Sequence, residues 1–417
     1  MMWYIFTTLL VQGWHSVLLD TLPSGSFTTP VLLLKNNGWP VMVYAGGGIL
    51  KIVSWTGNSW DFQYPPFGYE EENTLLDGKD LLWLGDFTGS GWIDIYHQIA
   101  GTDWDTLQFF QDSLVGGGLC VDTSNAPHLI FKKGNNLLLN AQYTAGDTWV
   151  LDTILFDSIW WFNYVFPACG HDDVLHFIGL SDYLAIHGWN EGGTWQYDTA
   201  DDVTGQGDFA FSTVKITIDQ RGWPHLRYSP YYSGQDYKRK YAFKDASGWH
   251  AEFINDDPDD LWWSTSLAID SLGAVHAAKS DPTGIYHMIR YPGDTLWYNA
   301  ERIDTFTDAQ RIQIAIDGEE YLHVVFTAGD NQKLVYATTN PGVGITESLP
   351  EPEPGLVLIS APSGFYITSY SGEARIYDPA GRLVLAREIN GKTLMGPLKP
   401  GVYFVVAGKQ KARIAVR

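Results

Sequence analysis

Apolar and polar residues alternate along much of this chain, in short bursts that repeat. Val214, Ile216 and Ile218 lead into Asp219-Gln220-Arg221-Gly222-Trp223-Pro224-His225, and Leu226 and Tyr228 follow. A period of two on both sides of a turn predicts a strand–turn–strand hairpin with one face of each strand buried. The unit recurs: Asp77, Asp122, Asp219, Asp270 and Asp317 each stand six residues before Trp83, His128, His225, His276 and His323. Two further copies keep the register without the acid, Lys35 before Val41 and Gly170 before His176, and Gly38-Trp39-Pro40 repeats the turn's Gly-Trp-Pro. A third strand follows the hairpin, as at 333–338, and then a fourth that opens on tryptophan.

That tryptophan returns at Trp14, Trp60, Trp104, Trp149, Trp195, Trp249 and Trp297, at intervals of 44 to 54 residues. Four short strands per repeat of about 40–50 residues is the sequence signature of a propeller blade. The seventh unit (312–339) ends in Asn340-Pro341-Gly342 with no Trp-led strand after it, whereas the first such strand, 14–20, has no hairpin before it. The expectation is an all-β, seven-bladed β-propeller over 14–340, with the N-terminal strand completing the last blade so that no sheet edge stays open.

Composition changes past the repeats. Residues 341–355 are rich in Pro, Glu and Gly, as expected for a stiff, solvated linker. Residues 356–417 carry nine Lys and Arg against three Asp and Glu, while residues 1–355 carry 17 against 45, a net charge of −28. An acidic body therefore precedes a basic tail. A charge of that size argues against nucleic-acid or anionic-lipid binding by the body.

The tail contains Gly364-Phe365-Tyr366-Ile367, then 374–384 with Asp378-Pro379-Ala380-Gly381-Arg382, then Leu398-Lys399-Pro400-Gly401-Val402-Tyr403-Phe404, and finally 411–417 with Lys411 and Arg413. In order, these are a D-x-x-G-R hairpin, an L-x-x-G-x-Y strand and a terminal basic–hydrophobic strand. Residues 356–417 thus resemble the type A C-terminal sorting domain of bacterial type IX secretion cargo. Ala361-Pro362 departs from the Asn-Pro usual near its start. The alternation itself fits a small Ig-like β-sandwich. The resemblance implies export across the outer membrane of a Gram-negative-type bacterium, with the secretion machinery as partner, the tail removed and the protein released or held at the surface. Asp378, Gly381, Arg382, Gly401, Tyr403, Lys411 and Arg413 are the motif residues.

Met1 to Gly13 is an apolar run ending in small Gly13, read as a signal peptide despite lacking Lys or Arg before the apolar stretch. No other segment is long and uncharged enough to span a bilayer. Cys120 and Cys169 lie one repeat apart, near the start of the inner strand by this reading. A disulfide and two free buried thiols are both open; free thiols are expected, because corresponding sites on adjacent blades diverge from the ring axis.

Candidate chemistry is sparse. Asp86 to Asp94 imitates a calcium loop, with Asp86 and Asp94 as candidate ligands, but Thr88 and Ser90 are weak donors where carboxylates are wanted. An ordinary hairpin accounts for it, and no cofactor is expected. The five phased Asp residues, four before His and one before Trp83, suit a structural network like that of WD-repeat proteins better than a metal site. Gly-x-Thr-Trp at 146–149 and 192–195 resembles the end of a sialidase Asp-box, but Thr144 and Asn190 replace its Asp, and no arginine precedes Arg221 to clamp a substrate carboxylate. Aromatic doublets Trp160-Trp161, Tyr231-Tyr232 and Trp262-Trp263 fall in segments expected between blades, where they either stack on sugar rings or plug gaps. The reading is an exported, monomeric binding or display module with a glycan as candidate ligand. The alternative is a polysaccharide-active enzyme, a glycoside hydrolase or lyase, on the same scaffold.

Overall fold

The computed structural model describes residues 13–22, 25–65, 73–86, 92–111, 114–134, 137–144, 148–154, 164–180, 184–202, 209–232, 240–254, 265–343, 358–361, 364–367, 371–378, 382–390, 393–399, 401–407 and 410–416. The chain divides into two compact units, Met1–Ile345 and Thr346–Arg417. Every named element is a β-strand. No helix among the described residues is long and apolar enough to cross a membrane.

Among the described residues the first unit contains seven sheets of four antiparallel strands. Six are continuous in sequence, within 31–63, 74–110, 114–154, 164–202, 209–253 and 265–304. The seventh joins Gln310–Ile316, Leu322–Ala328 and Lys333–Thr338 to the N-terminal strand His15–Thr21. That strand pairs from His15↔Thr338 to Thr21↔Lys333, with one register shift between Leu18 and Asp20. His15 Nε2 also lies 2.7 Å from the Val343 carbonyl. The expected stitching of the chain's start onto the last repeat is what the structure has.

The turn linking the first and second strands has the same backbone in all seven sheets. The residue at its head (Lys35, Asp77, Asp122, Gly170, Asp219, Asp270, Asp317) donates its N–H to the carbonyl four residues on and accepts from the N–H three residues on. The third residue after the head is always left-handed: Gly38, Asp80, Asn125, Asp173, Gly222, Gly273 and Glu320 have φ between 62° and 84°. Gly, Asn and Asp tolerate that conformation best. The exception, Glu320, is held where Asp317 fixes the loop from inside.

Each sheet buries both faces against its neighbours. Seven separate apolar cores result, one for each pair of adjacent sheets round a closed circle, a β-propeller arrangement. Between the seventh and first sheets, Val325, Leu334 and Tyr336 meet Met42, Tyr44 and Val53. The periodic tryptophans are distributed one per core. Trp60 packs into that seventh–first core, Trp104 into first–second, Trp149 into second–third and Trp195 into third–fourth. Trp249 packs into fourth–fifth, Trp297 into fifth–sixth and Trp14 into sixth–seventh. Each stands within one residue of the start of its sheet's fourth strand and reaches back to the preceding sheet. All seven are half-buried, so each is a wedge at the rim of its core.

Partly buried ion pairs reinforce some of these interfaces. Asp20 receives Lys51 Nζ at 2.6 Å and the Tyr44 hydroxyl at 3.0 Å from the first sheet. Asp201 of the fourth sheet receives Lys240 Nζ at 2.6 Å and the Tyr228 hydroxyl from the fifth.

The second unit has a three-stranded sheet (Leu358–Ala361, Gly364–Ile367, Thr393–Met395) and a four-stranded one, ordered Leu383–Asn390, Ser371–Tyr377, Gly401–Ala407, Gln410–Val416. Phe365, Ile367 and Met395 of the first share one core with Ala374, Ile376, Ile389, Tyr403 and Val405 of the second.

Trp60 stands edge-on to both Trp55 and Tyr336, at centroid distances of 5.2 and 5.1 Å. Trp60→Ala is expected to lower the unfolding free energy by roughly 3 kcal/mol, the ordinary cost of emptying an aromatic site. Denaturant unfolding checks this against Leu272→Ala, a residue 82% exposed whose loss is expected to change little.

Candidate functional site

The phased acids form the first polar system. One carboxylate oxygen of each Asp accepts the N–H groups two and four residues on: Lys79 and Leu81 for Asp77, Ser124 and Ala126 for Asp122, Arg221 and Trp223 for Asp219, Leu272 and Ala274 for Asp270, Glu319 and Tyr321 for Asp317. The other oxygen faces the ring six residues on, Trp83 Nε1 at 3.2 Å, His128 at 3.2 Å, His276 at 3.4 Å, His323 at 3.1 Å and His225 at 3.6 Å. The chain of contacts then passes to the third strand. His276 Nδ1 lies 2.8 Å from His287 Nε2, His225 Nδ1 lies 2.6 Å from the Tyr241 hydroxyl, and His323 meets the Tyr336 hydroxyl. In the fourth sheet, which has Gly170 at the head, His176 bonds His187 at 3.0 Å and His187 bonds Asp198 at 3.1 Å.

These groups hold the hairpins together. Burial alone would raise the Asp317 carboxyl, but hydrogen bonds from His323 and from the Tyr321 N–H outweigh it and keep its pKa below the usual range. Asp122, Asp219 and Asp270 are lowered in the same way. Burial pushes the imidazoles down too, His176 to about 4 and His287 to about 3, with the neighbouring His187 and His276 adding to it. Repetition round the ring and burial on every side make this a scaffold rather than a reacting centre. Among the described residues no three His, Cys, Asp or Glu side chains converge as a metal site.

The second system breaks the repeat. Lys215, Ser266 and Gln313 stand four residues before Asp219, Asp270 and Asp317, on the first strands of the fifth, sixth and seventh sheets. Lys215 Nζ lies 3.5 Å from Gln313 Oε1, which also accepts the Ser266 hydroxyl at 3.3 Å. The fifth and seventh sheets are not neighbours in the ring, so side chains from both can meet only on the axis side. Arg227 is registered opposite Lys215 on the next strand. A recess between the fifth and sixth sheets is lined by Lys215, Thr217, His225, Arg227 and Leu267, with room for about one water molecule. The Lys215 side chain is exposed, yet protein surrounds it closely enough to strip part of its hydration. That loss, followed by repulsion from Arg227, pushes its pKa down to about 8. Two cations, an amide and a hydroxyl in an acidic body make a site for an anion.

Trp160, Trp161, Trp262 and Trp263 lie outside the described residues; Tyr231 and Tyr232 belong to the strand Pro224–Tyr232, without described side chains. Asp86 and Asp94 face each other as a registered pair at a hairpin, and Asp94 accepts Gln108 Nε2 at 2.8 Å; residues 87–91 lie outside the described residues. In the second unit Asp378 accepts the N–H and, at 2.7 Å, the guanidinium Nε of Arg382. Gly381 lies outside the described residues. Gly401 opens a strand, the Tyr403 hydroxyl donates to the Lys399 carbonyl at 2.8 Å, and Lys411 and Arg413 pair with Val406 and Phe404. The cysteines correct an expectation. They lie at the ends of their strands rather than the starts, Cys120 penultimate and Cys169 last, and they do not diverge: Cys120 stands two residues before its turn head and Cys169 one, so opposite parity turns them toward each other, Sγ to Sγ 2.6 Å. Lys215, Arg227, Ser266 and Gln313 were not expected from the sequence. For Lys215, Ser266 and Gln313 the signal is a polar residue at a position occupied by Val31, Asn73, Gly118 and Phe166 in the other repeats; Arg227 lies on the next strand and carries no such signal.

No protein-family model matches the chain, and no curated protein does. Among solved structures it is similar to a polysaccharide lyase of family PL25, an ulvan lyase, at 10% identity and a TM-score of 0.54, covering 76% of this chain and 95% of that one. A second structure of that lyase, bound to -[GlcA(1-4)Rha3S]-, gives 10% identity and 0.50 over the same shares. The NanB sialidase of Streptococcus pneumoniae gives 12% identity and 0.42, over 77% and 70%. At these identities the likeness to the lyase is one of fold.

Burial depresses His176 and His287 below the ordinary imidazole value, so the folded state resists their protonation. The stability they support is complete above about pH 6.5 and is lost as pH falls toward 4 and then 3. Chemical unfolding followed at pH 7.5, 6, 5 and 4 (about one pH step apart, to bracket that window) is expected to show a steady fall. His287→Phe, which cannot ionise, is expected to flatten part of it.

Proposed function

We propose that this chain is a seven-bladed β-propeller that binds an anionic carbohydrate at the axis-side group of Lys215, Arg227, Ser266 and Gln313. The observation that carries the reading is the meeting of Lys215, Ser266 and Gln313 from three sheets, backed by Arg227, in a body with 45 acidic residues against 17 basic. Such a body repels a polyanion everywhere else, so a local pair of cations confers position as well as affinity. The recess beside them is too shallow to enclose a sugar. An acidic sugar would therefore rest a carboxylate or sulfate on the cations, with the rest of the ring outside. The lyase of similar fold holds a chain of GlcA and sulfated Rha, a ligand of this charge.

An enzymatic reading has one observation in its favour. A lysine with a pKa of about 8 suits proton abstraction near neutral pH, with Arg227 beside it to neutralise a uronate. Calorimetry of the full chain with sulfated or uronate oligosaccharides, against neutral ones of equal size, separates these outcomes. Binding is expected for the acidic set only. It should weaken at least tenfold in Lys215→Ala, the order expected for a hydrogen bond to a charge, and decline with salt and as pH rises through about 8. Equal binding of neutral glycans would sink the reading. Unsaturated or hydrolysed products in the cell would move it to the enzyme.

The second unit is, on this proposal, an Ig-like type IX sorting domain, and the chain is exported to the medium or the cell surface after loss of 1–13. What supports it is the order of motifs in sequence together with the Asp378–Arg382 pair closing its hairpin and Tyr403 in the core. Residues 346–417 fused behind a signal-bearing reporter are expected to carry it out of a type IX-competent cell. Retention in the periplasm would contradict the assignment.

A further inference from the structure

The two cysteines belong to neither polar system. Cys120 is the penultimate residue of the third sheet's first strand, Leu114–Val121, and its side chain is buried in the core shared with the fourth sheet. Cys169 is the last residue of the fourth sheet's first strand and packs against that same core from the other side, half-buried. Neighbouring apolar groups are Ile130, Val165 and Phe177. The sulfurs touch across the interface, with no third group between them.

We propose that Cys120 and Cys169 are a paired-thiol site that a disulfide oxidant converts into a covalent bond between the third and fourth sheets. The order of events follows from exposure. Cys169 is the accessible member; its thiolate attacks one sulfur of an oxidant R–S–S–R, forming a mixed disulfide and releasing one thiolate RS⁻. Cys120 then loses its proton to solvent and attacks the Cys169 sulfur, expelling the second RS⁻. The oxidant is reduced by two electrons to two thiols, and the protein loses two hydrogens. Burial pushes the Cys120 thiol up, so it is a poor first nucleophile, but contact with Cys169 makes it an efficient resolving one. The bond adds a covalent tie between two sheets that are otherwise held here by packing and by the hydrogen bonds from the Thr123 N–H and hydroxyl to Asp173. It also closes the chain between residues 120 and 169, which restricts the unfolded state.

The test uses the full chain, reduced, desalted, and incubated folded with oxidised glutathione, then acid-quenched, unfolded, alkylated and weighed. The expected product is a monomer lighter by two hydrogens, free of alkyl groups and of glutathione, whose digest contains one peptide pair linking 120 to 169. Cys120→Ala, which keeps the site apolar, is expected to retain one glutathione on Cys169. Thermal unfolding of the oxidised chain should shift upward by several degrees relative to the reduced one, and the shift should vanish in that variant. Two alkylated sulfurs, glutathione retained by the natural sequence, or a covalent dimer would each overturn the proposal, whatever the stability of the variant.

Discussion

A sheet of four strands with apolar side chains on both faces cannot be stable alone, because each exposed face costs about 25 cal/mol for every Å² left in water. The first unit meets that constraint cyclically: each sheet is one wall of two cores, and seven cores serve seven sheets. Nothing in such a circle can be terminal. The seventh sheet would lack its outer strand, and the sixth–seventh core its tryptophan, unless the chain's first residues returned to provide both. His15–Thr21 and Trp14 do so together, which ties the ends of about 330 residues into one cooperative object.

Within a sheet the constraint is different. The turn between first and second strands must place a left-handed residue three positions after its head, and must hold it there while both strands pass into the core. Asp does this from inside, one oxygen on two backbone N–H groups and the other on the next strand's ring. The fourth sheet shows how far the device can be relaxed. With Gly170 at the head, Asp172 accepts the Val174 N–H, and the second, third and fourth strands are tied by His176, His187 and Asp198 instead. Hydrogen bonding, against the opposing pull of burial, lowers Asp122, Asp198, Asp219, Asp270 and Asp317, and burial lowers His176 and His187; both sets make the folded state resist protonation.

Repetition made the scaffold legible. Trp60 to Trp297 and the six-residue Asp spacing recur because each copy solves the same packing problem, so sequence period and structural period coincide. Departures from repetition were harder to read. Lys215, Ser266 and Gln313 look unrelated along the chain, separated by about fifty residues each, and acquire meaning only when three first strands are brought to one axis. The cysteines are free thiols, as expected, but their supposed divergence from the ring axis failed for a narrower reason. Treating them as equivalent sites ignored a one-residue offset relative to the turn heads, and in a strand one residue reverses the face.

Symmetry and function pull against each other in a closed ring. A position needed by the fold is needed seven times, and the Trp wedges and the left-handed turn residues behave that way. A ligand that sits on the axis meets all first strands at once, but it is itself asymmetric, so recognising it requires that equivalent positions differ. Val31, Asn73, Gly118, Phe166, Lys215, Ser266 and Gln313 are such a set, identical in place and unlike in chemistry, with the cation, hydroxyl and amide on three consecutive sheets. The side of the ring that carries them is therefore distinguished from the rest by chemistry while sharing its backbone. This is how a repeat protein can hold one oriented ligand without disturbing the packing that closes it.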